Sequence, residues 1–163
     1  MNQESATRVP KEQIIFIGRS FEHWTCLNDT IMGGSSEASC QLSSEGLVIE
    51  GKLIEEGGGF ISCCSEVFDS PLNLSNYLGV QLEVEGDGRT LKVAFACQGL
   101  LFGVDNLIYE GLRWVMDFPT KKTGITRANI LFRDLKPTIQ AKPIPFSLCF
   151  DALRIIQIQL LHS

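Results

Sequence analysis

Gly79-Val80-Gln81-Leu82-Glu83-Val84-Glu85, then Gly86-Asp87-Gly88, then Leu91-Lys92-Val93-Ala94-Phe95-Ala96-Cys97 is the stretch that decides the fold class. In the first arm Val80, Leu82 and Val84 alternate with Gln81, Glu83 and Glu85, the two-residue period of a strand with one dry and one wet face. Gly86-Asp87-Gly88 supplies residues that accept positive φ, so the second arm is expected to return as the partner strand of a hairpin.

The same pattern extends in both directions. Upstream, Ile14-Ile15-Phe16-Ile17 is a strand-length apolar run closed by Gly18, and Cys40-Gln41-Leu42 leads to a turn at Ser43 to Gly46. Leu47, Ile49 and Leu53 then share one face, and Phe60 to Phe68 reads as a strand broken by Asp69-Ser70-Pro71. Gly57-Gly58-Gly59 lacks the Lys-Ser/Thr of a phosphate-binding loop and opens no helix, so it is read as a bend or bulge. Downstream, Leu100, Leu101 and Phe102 lie in a loop, either tucked under the sheet or presented to a partner. Leu107 to Phe118 places Ile108, Leu112, Trp114, Met116 and Phe118 on one face of a long strand. Thr126 to Leu131 and Ile155 to Leu161 are further strands, and Pro137, Pro143 and Pro145 keep the chain between them extended. About nine or ten short strands with almost no amphipathic helix predict an all-β sandwich of two antiparallel sheets.

A chain of 163 residues suits one domain, read here as residues 14–163 after a flexible N-terminal segment, residues 1–13. With 44% hydrophobic and 20% charged residues it has a globular composition. Its net charge of -5 opposes nonspecific attraction to nucleic acid or anionic lipid. No apolar run approaches the roughly 18 residues that span a bilayer. The first residues hold Glu4 and Glu12 beside Arg8 and Lys11, which fits neither a secretory signal nor an acid-poor transit peptide, so residence in the cytoplasm is expected.

The six cysteines are Cys26, Cys40, Cys63, Cys64, Cys97 and Cys149. None form a C-x-x-C pair, and the two histidines, His23 and His162, lie near opposite ends, so neither a structural zinc site nor a cofactor is expected. Free thiols are the expected state, several of them buried. The alternative is a redox pair involving Cys26 or the vicinal Cys63-Cys64.

The densest punctuation lies in Trp24-Thr25-Cys26-Leu27-Asn28-Asp29-Thr30-Ile31-Met32-Gly33-Gly34-Ser35-Ser36. Asn28 and Asp29 favour a tight turn through bonds to their own backbone, and Gly33 and Gly34 permit positive φ or close backbone approach. An ordered loop is expected, read either as a brace that pins Trp24 against the sandwich or as a recognition loop. The candidate partner-binding residues are Trp24, Asn28, Asp29, Met32, Gly33, Gly34 and Ser36.

This stretch resembles the opening signature of the complex I intermediate-associated protein family. Glu56-Gly57-Gly58-Gly59-Phe60-Ile61-Ser62, Leu74-Ser75-Asn76-Tyr77-Leu78-Gly79, Val84-Glu85-Gly86-Asp87-Gly88, Pro137-Thr138-Ile139 and Arg154-Ile155-Ile156-Gln157-Ile158 extend the likeness in the family's order. The resemblance implies a jelly roll of the galactose-binding-like type and a non-enzymatic assembly factor for a membrane-bound electron-transport complex. The implied partners are protein subunits of an NADH dehydrogenase-like or photosynthetic complex, with membrane association only peripheral, through those partners. Because the N-terminus reads as no mitochondrial presequence, a bacterial or cyanobacterial member is expected. Gln140 and Ala141 stand where relatives usually have Arg-Gly, and Cys64 replaces a basic residue. Relatives also continue beyond the position of Ser163 into one more strand; a missing strand would leave an unpaired sheet edge open to a partner or another copy, and the alternative is that the family's last strand is dispensable.

Catalytic candidates are few. His23 with Cys26 is a conceivable thiolate pair, while Asp29, Asp87, Asp105 and Asp134 sit in turn-like contexts where a carboxylate usually bonds backbone. Two other function classes remain beside the assembly role. A carbohydrate-binding module would expose Trp24 and Trp114 on one concave face, and burial of both would count against it. An RNA-associated factor for translation of photosystem subunits would need clustered Lys and Arg.

Overall fold

A computed structural model describes residues 12–28, 37–52, 61–98, 111–139, 142–145 and 148–162. Within them the chain runs through eleven strands and two short 3-10 turns, Gly18–Phe21 and Phe132–Asp134. The strands are β1 (Thr25–Asn28), β2 (Glu37–Leu42), β3 (Leu47–Lys52), β4 (Ile61–Cys64), β5 (Gly79–Glu85) and β6 (Thr90–Cys97). They continue as β7 (Leu112–Pro119), β8 (Ile125–Leu131), β9 (Lys136–Ile139), β10 (Lys142–Pro143) and β11 (Ile155–His162).

One layer is a seven-stranded sheet in the order β1-β4-β11-β6-β7-β9-β10. Two antiparallel ribbons, β2-β3 and β5-β8, send side chains into the same core. Phe95, Val93 and Trp114 from the large sheet meet Ala128 and Ile130 from β8, with Val80, Leu82 and Val84 packed against them. Burying such a shared apolar face on both layers is what stabilises a sandwich. Phe150 locks the middle by setting its ring 5.6 Å from Phe95, 5.8 Å from Trp114 and 5.0 Å from Phe132.

The alternation in β5 orients as the sequence indicates, but its pairing differs. β5 pairs with β8, from Gly79 opposite Leu131 to Glu85 opposite Ile125, and β6 pairs with β7 and β11 in the other sheet. The expected β5-β6 hairpin is therefore a corner between layers. Gly88 does take the positive φ foreseen, at 92°. What turns the corner is buried Thr120, whose Oγ1 donates to the Arg89 carbonyl at 2.6 Å and accepts from the Gly88 amide at 3.2 Å. Gly86 is needed because a Cβ there would lie 2.6 Å from Thr120 side-chain atoms. Glycine at 79 is required too, since its Cβ would overlap the Ile130 carbonyl.

Further expectations change. Ile14 to Ile17 forms no strand: Ile15 and Phe16 pack on the core while Ile14 and Ile17 face solvent. β11 itself lies between β4 and β6, so its backbone groups are engaged within the sheet. Of the strand expected over Phe60 to Phe68, Ile61 to Cys64 form β4, beyond which Ser65 and Phe68 still donate to β11 carbonyls, and Phe60 lies outside the described residues. Leu53, Gly57 to Gly59, Leu100 to Phe102, Ile108 and residues 1–11 lie outside the described residues.

Candidate partner-binding site

Trp24 enters the first strand from a braced turn. Gly18, at φ 54°, opens the 3-10 turn, and the Trp24 amide donates to the Phe21 carbonyl at 3.0 Å. The rings of Phe16 and Phe21 stand 5.3 and 5.2 Å from the indole, both edge-on, the arrangement aromatic quadrupoles prefer. Trp24 is 9% exposed, and its indole N–H has no hydrogen-bond partner among the described residues. The indole acts as an anchor at the root of β1. Asn28 ends that strand with its backbone opposite Ile61. Asp29, Met32, Gly33, Gly34 and Ser36 lie outside the described residues.

β1 and β2 sit in different layers, and their cysteines meet. Cys26 and Cys40 form a disulfide with 5.6 Å between Cα atoms, which corrects the expectation of free thiols throughout. A separation of 14 residues carries no sign of proximity in sequence. The two cysteines come together because the chain crosses from the large sheet to the β2-β3 ribbon between them. The bond also removes Cys26 as a nucleophile for His23, whose imidazole is exposed and 3.4 Å from Glu22 Oε1.

Cys63 and Cys64 are adjacent on β4, where successive side chains point to opposite faces, and they are not bonded to each other. Cys63 lies opposite Cys26 in register, and burial pushes its thiol up to about 12, reinforced by Cys64. Cys64 faces the other way, with Sγ 3.7 Å from Thr25 Oγ1. Burial also pushes the Cys97 thiol up to about 12; its Sγ donates to the Asp151 carbonyl at 3.3 Å.

The outer face of the large sheet carries a polar network that the sequence reading did not single out. Gln159 Nε2 donates to Ser62 Oγ at 3.3 Å, and Gln157 Nε2 to the Ser65 carbonyl at 3.0 Å. Thr138 Oγ1 donates to the Arg113 carbonyl at 3.2 Å. Arg113 Nη1 donates to the Leu112 carbonyl at 2.8 Å, and burial lowers the guanidinium pKa while Cys64 opposes that shift. Alternation in β11 and β7 was the available signal, with Gln157 and Gln159 out of step with Ile158 and Leu160, and Arg113 with Leu112 and Trp114.

No group of three side chains among the described residues has the makings of a metal site. Arg89, Lys92, Arg127 and Arg154 each face an acid, Asp87, Asp117, Glu83 and Asp151, so they form no basic stripe. At the end of the β5-β8 ribbon, Leu78 is 85% exposed beside a shallow hollow of about 240 Å³ lined by Tyr77, Leu131, Phe132 and Arg133. Trp114 is 6% exposed, with its indole N–H held by the Leu148 carbonyl at 3.0 Å.

Residues 14–163 match the sequence profile of the Complex I intermediate-associated protein 30 family. The chain belongs to this family. No curated protein sequence matches it. Among solved structures, this family member resembles the family 11 carbohydrate-binding module of the cellulosomal cellulase Lic26A-Cel5E of Clostridium thermocellum. The TM-score is 0.63 at 14% identity over 86% of this chain and 78% of that one. The family 11 module from Clostridium thermocellum in complex with a β-1,3-1,4-mixed-linked tetrasaccharide gives the same score and identity, covering 86% and 79%. The likeness establishes the fold of this family member as a jelly-roll β-sandwich of the galactose-binding-like type. No helix among the described residues is long and apolar enough to cross a membrane.

Proposed function

We propose that this chain is a non-catalytic assembly factor that binds subunits of a membrane-bound respiratory or photosynthetic electron-transport complex and covers their unfinished surfaces until the permanent neighbours arrive. The observation that carries this reading is the family match over residues 14–163. In this reading residues 14–163 act as one domain. The protein works in the cytoplasm and reaches a membrane only through its partners. The segment from Trp24 to Ser36, rooted on the buried indole and β1, supplies the contact surface, since recognition concentrates on segments that a rigid scaffold positions.

The test is capture of the tagged full chain from native membranes solubilised in mild detergent, followed by identification of what co-purifies. Subunits of a single respiratory or photosynthetic complex are expected. Recovery of no membrane-complex subunit, or a turnover traced to the purified chain, would overturn the reading.

Carbohydrate binding is the second reading, favoured by the two structural neighbours, which are carbohydrate-binding modules. Against it stand Trp24 and Trp114, both buried and unable to offer a stacking platform. Calorimetric titration with a β-1,3-1,4-mixed-linked tetrasaccharide decides: saturable heat supports this reading, and its absence at millimolar ligand removes it.

A further inference from the structure

We propose that the Cys26–Cys40 disulfide is a reducible clasp between the two layers, opened by a dithiol and closed by the oxidised form of that dithiol, and that its state sets how firmly the β2-β3 hairpin is held. The hairpin's position is the first reason. β2 and β3 pair only with each other among the described strands, and a two-stranded ribbon has little stability by itself. On the inner side Cys40 and Leu47 touch the core, and Gly46 lies against the Phe21 ring. Val48 on the outer side is exposed, and so is Ile49, which lies opposite Cys40 on the inner one. The disulfide is thus the covalent tie that fastens this ribbon to β1 of the large sheet.

The cysteine inventory is the second reason. Cys63, Cys64, Cys97 and Cys149 are all free, and Cys149 is exposed. A chain that keeps an exposed thiol beside three more suits a thiol-reducing compartment, where a disulfide persists only as a bond that is made and broken.

Access is the third. Cys26 and Cys40 each keep part of their surface in solvent, whereas Cys63, the register neighbour of Cys26 on the same face of the sheet, is fully buried. Burial keeps Cys63 protonated at neutral pH, and a thiol attacks only as its thiolate. The neighbouring thiol therefore leaves the bond intact, and opening depends on a dithiol from outside.

The exchange balances with that reagent alone. One thiolate of the dithiol attacks a sulfur of the Cys26–Cys40 bond, forming a mixed disulfide and releasing the other cysteine as a thiolate that takes a proton. The second thiol of the reagent then displaces the remaining cysteine and closes its own disulfide. Two electrons and two protons pass from the dithiol to the protein, and reclosure runs the same steps backwards.

The inference is independent of the assembly reading, because its readouts are thiol chemistry and amide exchange and need no partner. The full-length chain is alkylated natively before and after dithiothreitol, with peptide mapping, and hydrogen exchange is followed in both states. Before reduction Cys149 labels, and Cys26 and Cys40 do not; afterwards both label without denaturant. Amides of residues 39–50 then exchange at least about tenfold faster while those of β6, β7 and β11 keep their rates. Oxidised dithiothreitol restores the original pattern. A Cys26→Ala/Cys40→Ala chain shows the fast pattern with or without reductant; should it not fold, the native chain in its two redox states still decides. Labelling of Cys26 or Cys40 before reduction, a bond that survives excess dithiothreitol under native conditions, or identical exchange in the two states would overturn the proposal.

Discussion

Replacing Thr120 by valine tests the corner between the layers. Valine keeps the shape of threonine and removes the hydroxyl, so the core contacts survive while two hydrogen bonds disappear: the 2.6 Å donation to the Arg89 carbonyl and the 3.2 Å acceptance from the Gly88 amide. The Arg89 carbonyl keeps a second donor, the Thr120 amide at 3.0 Å, so its loss is limited to one ordinary bond. The Gly88 amide loses its side-chain acceptor at a partly exposed position where water replaces some of it. Each bond contributes about 1 kcal/mol net, giving a destabilisation of about 2 kcal/mol. In a domain of this size that lowers the melting temperature by about 4–8 °C. Urea unfolding followed by circular dichroism, with the slope unchanged, measures it. The bond to Arg89 extends the β6-β7 ladder past Thr90 opposite Pro119, and the bond to Gly88 ties that ladder to the segment leaving β5. A change below about 0.5 kcal/mol, typical of an uninvolved surface site, would refute the corner.

Cys40→Ser removes the constraint on a loop of 14-residue separation and is expected to cost about 3 kcal/mol, a melting shift of about 6–12 °C that vanishes when both proteins are measured in reductant. Phe95→Ala, at a side chain with no solvent exposure that packs against Phe132 and Phe150, should cost about 3–5 kcal/mol in chemical unfolding. Stability should also fall in alkali. Cys63 rises from 9.0 to about 12 on folding, so its contribution is complete below pH 9 and declines as pH climbs toward 12, because only the unfolded chain releases the proton in that window. Unfolding midpoints at pH 8 and pH 10 should show the native chain losing roughly 1 kcal/mol more than Cys63→Ala; equal losses would contradict the assignment.

Local chemistry made much of the sandwich legible, and long-range partnership is where reading failed. Val80, Leu82 and Val84 face the core as their period requires, and Leu112, Trp114 and Phe118 do so on β7. Pro137 and Pro143 mark the short strands β9 and β10 at one edge of the large sheet, where a missing amide donor costs little. Gly86-Asp87-Gly88, by contrast, carries the same positive-φ signal whether the chain returns beside itself or crosses to another sheet. The deciding partners, Thr120 and the strand from Ile125 to Leu131, lie more than thirty residues downstream. The partner of Cys26 escaped for the same reason, since nothing near Cys26 or Cys40 announces that β1 and β2 come close enough to be joined. Trp24, readable from the sequence as a brace against the sandwich, a recognition residue or a sugar platform, is buried, and its alternation alone could not have said so. The polar network of Arg113, Thr138, Gln157 and Gln159 was written in the alternation of β7, β9 and β11, but became a cluster only once the sheet order placed those strands together.

The proposed role makes a statement about the cell as well as the molecule. A factor that shelters unfinished subunits is needed only while a complex is being built, so its loss should leave partly built complexes behind. Deleting the gene in its native host and resolving detergent-solubilised membranes by native electrophoresis, with subunits pulse-labelled, is the most direct measurement. The account predicts that one electron-transport complex falls in abundance, that its sub-assemblies accumulate, and that the full-length chain restores it. A normal complement of mature complexes assembled at the normal rate would contradict it.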